Sequence, residues 1–351
     1  MKKLKFFLFL ILFLPLLGIY YTQSENILIE KYYSSWGYLF ISEKLRLLTY
    51  WINVPIGDLL YLLFFVAVIY FSYLSSKKIA LRLLNLVLFT LFSTILFYLL
   101  WGFNYKRISL KSHLGINSEF KKHELVDFTK KLTKTINKKH IELFVEKTNK
   151  PVNKYSFDEN ARISAKNTKK LKSFLGDSIL ESNYKYPSIK KSIFSLPLSY
   201  MGFSGYINPF TNEANINSKI PLTSQVFVMN HEIAHQLGIA SEKDANFISF
   251  LMLINSGDDY HNYCGLSYAL RLCLNEIAKI DKEIYYEIIK EINSGIIDDY
   301  REINKFWKKF EGNIESISKK GYDIYLKQNN IDSGIKNYNE SISLILNYKF
   351  L

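Results

Sequence analysis

Apolar and polar positions divide the chain into an apolar first third and a polar, mostly helical remainder. Apolar runs occupy residues 6–21, 59–74 and 83–103. With their flanks, the last two are long enough to cross a hydrocarbon layer of about 30 Å. Residues 31–54 mix aromatic side chains with Lys and Arg, which is typical of a segment in the headgroup region. The pattern predicts a membrane region over residues 1–105, with three spans and one interfacial segment.

The first apolar run follows three lysines, a pattern shared by signal peptides and short membrane anchors. No small-x-small cleavage site follows residues 6–21, so the sequence favours a retained span over a cleaved signal. Lys and Arg resist translocation, and they occur both at the N-terminus and at residues 77–82. Both positions are therefore expected to be cytoplasmic. Three crossings then place residues 106–351 on the extracytoplasmic side.

The remainder of the chain predicts a mainly α fold. Helical periodicity is found over residues 119–138, 160–174, 247–255, 266–280 and, near the end, 334–346. Helix breakers and residues that favour extended backbone alternate between positions 194 and 217, which predicts a small β-sheet or hairpin. The fold class is thus three N-terminal transmembrane helices followed by a mostly helical domain that contains a small sheet.

Composition adds a strong basic bias. The chain has 45 Lys and Arg residues and a net charge of +13, although 48% of its residues are hydrophobic and 16% are aromatic. Its lysine pairs are interpreted as solvated helix faces, and no nucleic-acid-binding motif accompanies them. The charge therefore favours contact with anionic lipid or acidic partners and argues against nucleic acid. His113, His123 and His140 lack partner spacing and are interpreted as surface residues.

One short motif predicts chemistry. His231 and His235 lie one helical turn apart on the same face, so both imidazoles can reach one ion about 2.0–2.1 Å from each nitrogen. Glu232 cannot point at the same spot, but its carboxylate can reach a water on the open side of the metal. The motif predicts a zinc site in which Glu232 is the general base and is not a ligand.

A catalytic zinc site normally has three protein ligands. Gly238 is suited to a left-handed residue that ends the motif helix and returns the next helix toward the metal. Ser241 and Asp244 match a capping box, which leaves Glu242 as the better candidate for the third ligand. Asn246, one turn later, is a candidate hydrogen-bond partner for a ligand or for the bound water.

Two further groups of residues are candidates for substrate contacts. Tyr206, Ile207 and Asn208 lie in the predicted sheet, where a strand can align a peptide by main-chain hydrogen bonds. A structural hairpin that covers the site is the alternative interpretation. Tyr263, Tyr268 and Arg271 lie on a later helix and can offer a donor to a developing oxyanion, although each alone also fits a structural role.

Several stretches together resemble a known bacterial family. GYINPFTNEAN at residues 205–215, HEIAHQLG at 231–238 and EKDANF at 242–247 are similar to a membrane-protein family known as domain of unknown function 3810. The resemblance extends from PIGDLLY at residues 55–61 to the tail at 322–346. It implies a multi-pass protein of the bacterial cytoplasmic membrane.

The central motif also resembles the gluzincin metallopeptidases. In that group the Glu of an ExxA(D/N) pattern is the third zinc ligand, and the matching residue here is Glu242. Lys243 and Asp244 stand where two acidic residues are expected in the family, which leaves the ligand assignment unchanged. The resemblance implies a zincin-like domain and the chemistry of peptide hydrolysis.

The leading hypothesis is a membrane-anchored zinc peptidase that acts on a peptide or protein. The alternative from another class is a membrane scaffold or regulator that binds metal without turnover. In a third interpretation, the motif is accidental in a helical subunit of a membrane complex. Glu232 discriminates between the first two, because a scaffold does not need an unliganded carboxylate beside the metal.

Overall fold

A computed structural model of the chain describes residues 27–116, 120–171, 175, 184–329 and 338–348. The first predicted span, residues 6–21, lies outside this part of the chain. The described residues form a mainly helical fold with one small three-stranded sheet, as the sequence predicts.

The elements are as follows. A π-helical segment, Ile29–Gly37, runs directly into the first α-helix. The α-helices are α1 Tyr38–Thr49, α2 Ile56–Ile69, α3 Ile79–Leu100, α4 Leu110–Leu114, α5 Lys122–Phe144, α6 Phe157–Asn167, α7 Ser195–Met201, α8 Leu222–Gln236, α9 Glu242–Ile254, α10 Asp259–Ile280, α11 Lys282–Glu291, α12 Ser294–Phe310, α13 Asn313–Gln328 and α14 Tyr338–Asn347. The strands are β1 Ile189–Lys191, β2 Gly205–Ile207 and β3 Ala214–Ile216.

Two helices are long and apolar enough to cross a membrane. They are α2 with its π-helical continuation, Ile56–Leu74, and α3, Ile79–Leu100. Only 11% and 0% of their apolar windows are buried within the protein, so they are not core helices of the folded domain. We call this pair the apolar hairpin. By length and composition it matches the second and third predicted spans.

The helix before the hairpin has two faces. Trp36, Phe40 and Leu48 are among its exposed apolar side chains, whereas Tyr38 and Arg46 on the opposite face are buried. The buried face packs on the folded domain, and the apolar side chains of the other face remain exposed in a segment for which the sequence predicts a position in the headgroup region.

The sheet has the strand order β1-β3-β2, with β1 parallel and β2 antiparallel to the central strand. The small sheet or hairpin that the sequence predicts within residues 194–217 corresponds to β2 and β3, and the first part of this range forms α7. Pro197 is in the first turn of α7, where a missing backbone N–H costs nothing. Gly202 ends that helix in the left-handed conformation, with φ of 78°.

The largest core cluster lies between α5, α8, α9 and α10, which pack against one another. His140 lies in this region and is fully buried, with Nε2 at 2.9 Å from the Asn149 carbonyl oxygen. The interpretation of His140 as a surface residue is therefore wrong. His123 is exposed, and His113 is half-buried beside Glu30.

The apolar hairpin is joined to the sheet by buried polar contacts. The Glu213 carboxylate accepts hydrogen bonds from the Ile56 and Gly57 amides at the start of α2, and it pairs with the Lys190 ammonium. Asp58, in the next position, accepts from the Tyr206 hydroxyl. Carboxylates at a helix N-terminus satisfy amides that have no partner within the helix. The start of α2 is thereby fixed to both β2 and β3.

Candidate metal centre

The motif helix is α8, and the sequence accounts for its burial. Val226, Met229 and Ile233 form an apolar stripe at helical spacing, and each is at most 1% exposed. His231 and His235 project from another face, into a cavity. Packing of the stripe therefore fixes the direction of the two imidazoles.

A tight turn brings the next helix back to the histidines. Gly238 has φ of 82°, a conformation that L-residues with a side chain rarely adopt. A Cβ at this position would also come within 2.9 Å of the Tyr38 ring. α9 then begins at Glu242 with Ser241 as its N-cap, as the sequence predicts. The turn places Glu242 in the same space as the two imidazoles.

His231, His235 and Glu242 converge on one point. The two Nε2 atoms lie 3.1 Å apart, and the Glu242 carboxylate oxygens lie 3.1 Å from His231 Nε2 and 3.7 Å from His235 Nε2. A tetrahedral site with bonds of about 2.0–2.1 Å has edges of about 3.3–3.4 Å. The donor set therefore fits a zinc-sized cation in both chemistry and spacing.

Hydrogen bonding fixes the state of His235. Its Nδ1 lies 2.6 Å from the Ile239 carbonyl oxygen, which can only accept, so Nδ1 carries the proton. Its Nε2 therefore presents a lone pair toward His231. Metal-binding histidines usually donate the N–H of the other ring nitrogen to a carbonyl or carboxylate oxygen in this way, which fixes the orientation of the ring.

The electrostatics keep the cluster ready for a cation. Burial raises the pKa of Glu242, but its hydrogen bond to His231 and the two histidine charges outweigh this and hold the pKa at about 2. Burial, together with the His231 charge, lowers the pKa of His235 to about 4 despite the nearby Glu242. At neutral pH the cluster therefore contains an ionised carboxylate and a neutral His235, which are the forms that bind metal.

Glu232 lies beside the cluster and is not one of the three converging residues. It is 3% exposed, and its Oε2 atom has no hydrogen-bond partner among the described residues. Burial raises its pKa to about 8, with a further contribution from Glu242 and an opposing one from His231. A Cβ at Gly205 would come within 3.0 Å of its Oε1, so this carboxylate touches β2. An unpaired buried carboxylate oxygen of this kind requires a partner, such as a water in the cavity.

The structure adds one residue that the sequence analysis missed. Tyr322 of α13 donates its hydroxyl hydrogen to Glu242 Oε1 and lines the same cavity. Burial and the neighbouring Glu242 raise the pKa of Tyr322 well above its usual value, so it stays protonated. It lies 80 positions after Glu242, and no local pattern indicates the contact.

Of the other predicted site residues, some line the cavity and others do not. Asn246 lines the cavity. Burial lowers the pKa of His231, but its hydrogen bond to Glu242 and the charges of Glu242 and Glu232, with a smaller contribution from the Asn246 side chain, outweigh this and raise the pKa. Tyr268 and Arg271 also line the cavity, and Tyr268 stacks on Phe227 with 3.6 Å between ring centroids. Tyr263 is fully buried and is not part of the cavity wall, so it cannot donate to an oxyanion there.

The two acidic residues of the α9 start have separate roles. Asp244 is buried, and its Oδ2 accepts a hydrogen bond of 3.2 Å from the Leu110 amide at the start of α4. It is not one of the residues that converge with the histidines. The Ser241 side chain makes no capping bond, so the predicted side-chain cap does not form. Asp244 connects α9 to α4.

His231, Glu232, His235, Glu242 and Tyr322 line a cavity of about 830 Å³. β2, with Tyr206 and Ile207, forms one wall, whereas Asn208 is fully buried and bonds to Gly57. Tyr61 and Phe97 of the apolar hairpin also line it. The volume is ample for several residues of an extended peptide.

Comparison with known proteins gives a family and no activity. A family model described as Protein of unknown function (DUF3810) matches residues 33–346. No curated protein and no solved structure matches the chain.

Proposed function

Since the chain belongs to the DUF3810 family, described only as proteins of unknown function, we propose from its site that it is a membrane-anchored, zinc-dependent peptidase. The observation that supports this most is the convergence of His231, His235 and Glu242 beside Glu232, whose Oε2 has no partner among the described residues. A scaffold that only binds metal would not need that carboxylate.

The three converging residues would hold Zn²⁺ through two imidazole nitrogens and a carboxylate. When bound, the ion polarises the scissile carbonyl and lowers the pKa of a water to about 7. Glu242 is held in the ionised form, and the Nδ1–H of His235 is fixed by Ile239. Both features favour cation binding without rearrangement of the side chains.

Glu232 takes the proton of the attacking water. The water oxygen adds to the carbonyl carbon, the carbon–nitrogen bond breaks, and Glu232 delivers the proton to the leaving nitrogen. A carboxylate whose pKa is about 8 without a cation can return a proton near neutral pH, and a nearby cation lowers this value. Its burial keeps bulk water from competing for that proton.

Tyr322 is our candidate for the donor to the developing oxyanion. Its hydroxyl lies at the cluster, remains protonated, and already donates to a carboxylate oxygen in the same space. Such a donor contributes roughly 10²–10³ in kcat in other hydrolases. Tyr268 and Arg271, which also line the cavity, are our candidates for contacts with the substrate chain.

We place the domain on the extracytoplasmic side of the bacterial cytoplasmic membrane. The charges of the short loop support this orientation, since Lys77 and Lys78 lie between the two helices of the apolar hairpin and Arg82 lies in the first turn of α3. The exposed aromatic face around Trp36 and Phe40 is suited to lipid headgroups. The partners in this proposal are a polypeptide substrate and membrane lipid, with no nucleic acid.

The decisive experiment compares metal content with turnover in the full chain, purified in detergent. Wild type should hold about one zinc per chain, and His231→Ala should hold almost none. Glu232→Gln should keep its zinc but cleave an unfolded protein at least about a thousandfold more slowly. Cleavage by Glu232→Gln at the wild-type rate, or a wild-type protein that does not bind zinc, would refute the proposal.

A further inference from the structure

The cavity that contains the metal cluster extends to the apolar hairpin. Its wall includes Tyr61, five residues after the start of α2, and Phe97, three residues before the end of α3. At 1.5 Å per residue, these side chains lie about 5–8 Å inside the ends of the two helices. The Trp101 ring, directly after α3, lies 6.1 Å from the His235 ring. The cluster is therefore close to the surface of any membrane that the hairpin crosses.

The wall between the cluster and the hairpin is an open strand edge. β2 is the last strand of the described sheet. Two backbone hydrogen bonds flank its pairing with β3: the Asn217 amide donates to the Ser204 carbonyl oxygen, and the Asn208 amide donates to the Glu213 carbonyl oxygen. Because hydrogen-bonded and non-bonded pairs alternate in antiparallel strands, the backbone groups of Gly205 and Ile207 point away from β3. These N–H and C=O groups can bond an added strand.

This edge runs from the catalytic base toward the hairpin. Gly205 touches Glu232, and Asn208, just past the other end of β2, donates its side-chain amide to the Gly57 carbonyl at the start of α2. Three residues of strand span about 10 Å. A polypeptide on this edge would lead from the reacting atoms to the start of the hairpin within three to six residues.

Apolar surface beside the cavity supports the same orientation. Ile193, Leu196 and Tyr200, in and just before α7, are about half exposed, and the Ile193 amide donates to Asp58 in the first turn of α2. Leu198 and Met201 of the same helix line the cavity. One side of α7 thus faces the cavity, and the exposed Ile193 just before it is bonded to the start of the hairpin.

We propose that the substrate is a polypeptide anchored in the same bilayer, cut a few residues outside it. This rests on the proposed peptidase function and adds the class and location of the substrate. An open strand edge selects a polypeptide backbone over a lipid chain, since only the backbone repeats donors and acceptors at strand spacing. The apolar wall at Tyr61 and Phe97 would receive the residues that adjoin the anchor.

The test uses the full chain, loaded with zinc, in vesicles. One unfolded sequence is supplied either behind a transmembrane helix in the same vesicles or as a free peptide at about 10 µM. Confinement to the bilayer should make the anchored form react at least about tenfold faster. Its cuts should lie within about six residues of the membrane, and a ten-residue insertion next to the anchor should move them to new sequence at the same distance.

A second measurement does not depend on turnover. In the Glu232→Gln variant, a photoreactive benzoylphenylalanine replaces Tyr61, with the exposed Tyr73 near the other end of the same span as the matched position. Position 61 should cross-link the membrane-adjacent residues of the anchored polypeptide at least about tenfold more than position 73. Labelling of lipid alone from position 61 would overturn the inference, as would equal cleavage of the free peptide or cuts that follow the sequence.

The failure of this inference can be told apart from failure of the peptidase proposal. Equal cutting of free and anchored substrate, abolished by Glu232→Gln, would overturn only the anchored substrate. Equal cutting by wild type and Glu232→Gln would overturn both.

Discussion

Removal of the Glu213 charge should strongly destabilise the protein without removing its metal. Glu213 is fully buried, pairs with Lys190, and accepts hydrogen bonds from Ile56, Gly57 and Thr211. Glu213→Gln replaces one acceptor oxygen with a donor that faces other donors, and leaves a buried ammonium without its anion. Loss of one partner of a buried ion pair costs about 3–5 kcal/mol.

The effect is measured by thermal unfolding of the full chain in detergent. At about 2–4 °C per kcal/mol for a domain of this size, the midpoint should fall by roughly 6–20 °C. The zinc content of the protein that remains folded should equal wild type, since Glu213 is not one of the residues that converge with His231.

A double variant isolates the ion pair. Lys190 also donates to the Thr49 and Val54 carbonyl oxygens, so Lys190→Met removes these two hydrogen bonds together with the cation. Lys190→Met with Glu213→Gln should cost clearly less than the sum of the single changes, because the unpaired ammonium is gone. A loss below about 1 kcal/mol for Glu213→Gln alone would show that these contacts do not fix α2 to the sheet.

Three further predictions concern single side chains. Glu242→Gln should weaken zinc affinity at least about tenfold, whereas Asp244→Asn should keep zinc and lose only stability; the reverse result, read by metal titration, would make the third ligand wrong. Tyr322→Phe should keep zinc and lower kcat by about 10²–10³ with KM nearly unchanged, and a wild-type kcat would exclude Tyr322 as the oxyanion donor. Asp299 is 2% exposed, and burial raises its pKa to about 6 despite the opposing hydrogen bond from Thr223 and the charges of Lys150 and Arg271. Its protonated form is favoured in the folded state, so wild type should gain stability relative to Asp299→Asn as pH falls from 7 to 4, by up to roughly 3 kcal/mol. Denaturant unfolding at both pH values measures this, and a pH-independent difference would contradict it.

The parts of the site that depend on neighbouring positions could be predicted from the sequence. The i, i+4 spacing places His231 and His235 on one helix face, and the glycine at 238 predicts the turn that returns Glu242. Both are local rules of backbone geometry, so they need no knowledge of the tertiary fold. The same holds for the apolar hairpin, since its length and composition are enough to identify it.

Contacts between distant segments could not be predicted. Tyr322 reaches Glu242 only because α13 packs on α7, and nothing near position 322 distinguishes this tyrosine from the other 25 in the chain. For Tyr263 the sequence suggests a contact with the site that does not form, because the side chain faces the core. The sequence predicts a surface position for His140 because it lies in a polar region without partner spacing, yet one face of α5 is buried against α10. The position of a residue in a helix predicts the face on which its side chain lies, whereas the contacts of that face depend on how the helices pack.

The side chains that bond the last carbonyl groups of the motif helix, α8, lie in the sequence before the domain begins at residue 106. The hydroxyl of Tyr38 and the indole of Trp101 donate to the His235 carbonyl oxygen, and Arg46 donates to that of Gln236. A water-soluble fragment cut at residue 106 would lose all three donors and expose the last turn that positions His235. We therefore expect such a fragment, the usual choice for crystallisation or screening, to bind zinc more weakly than the full chain. Tests of the proposed peptidase activity have to begin from the detergent- or lipid-embedded chain.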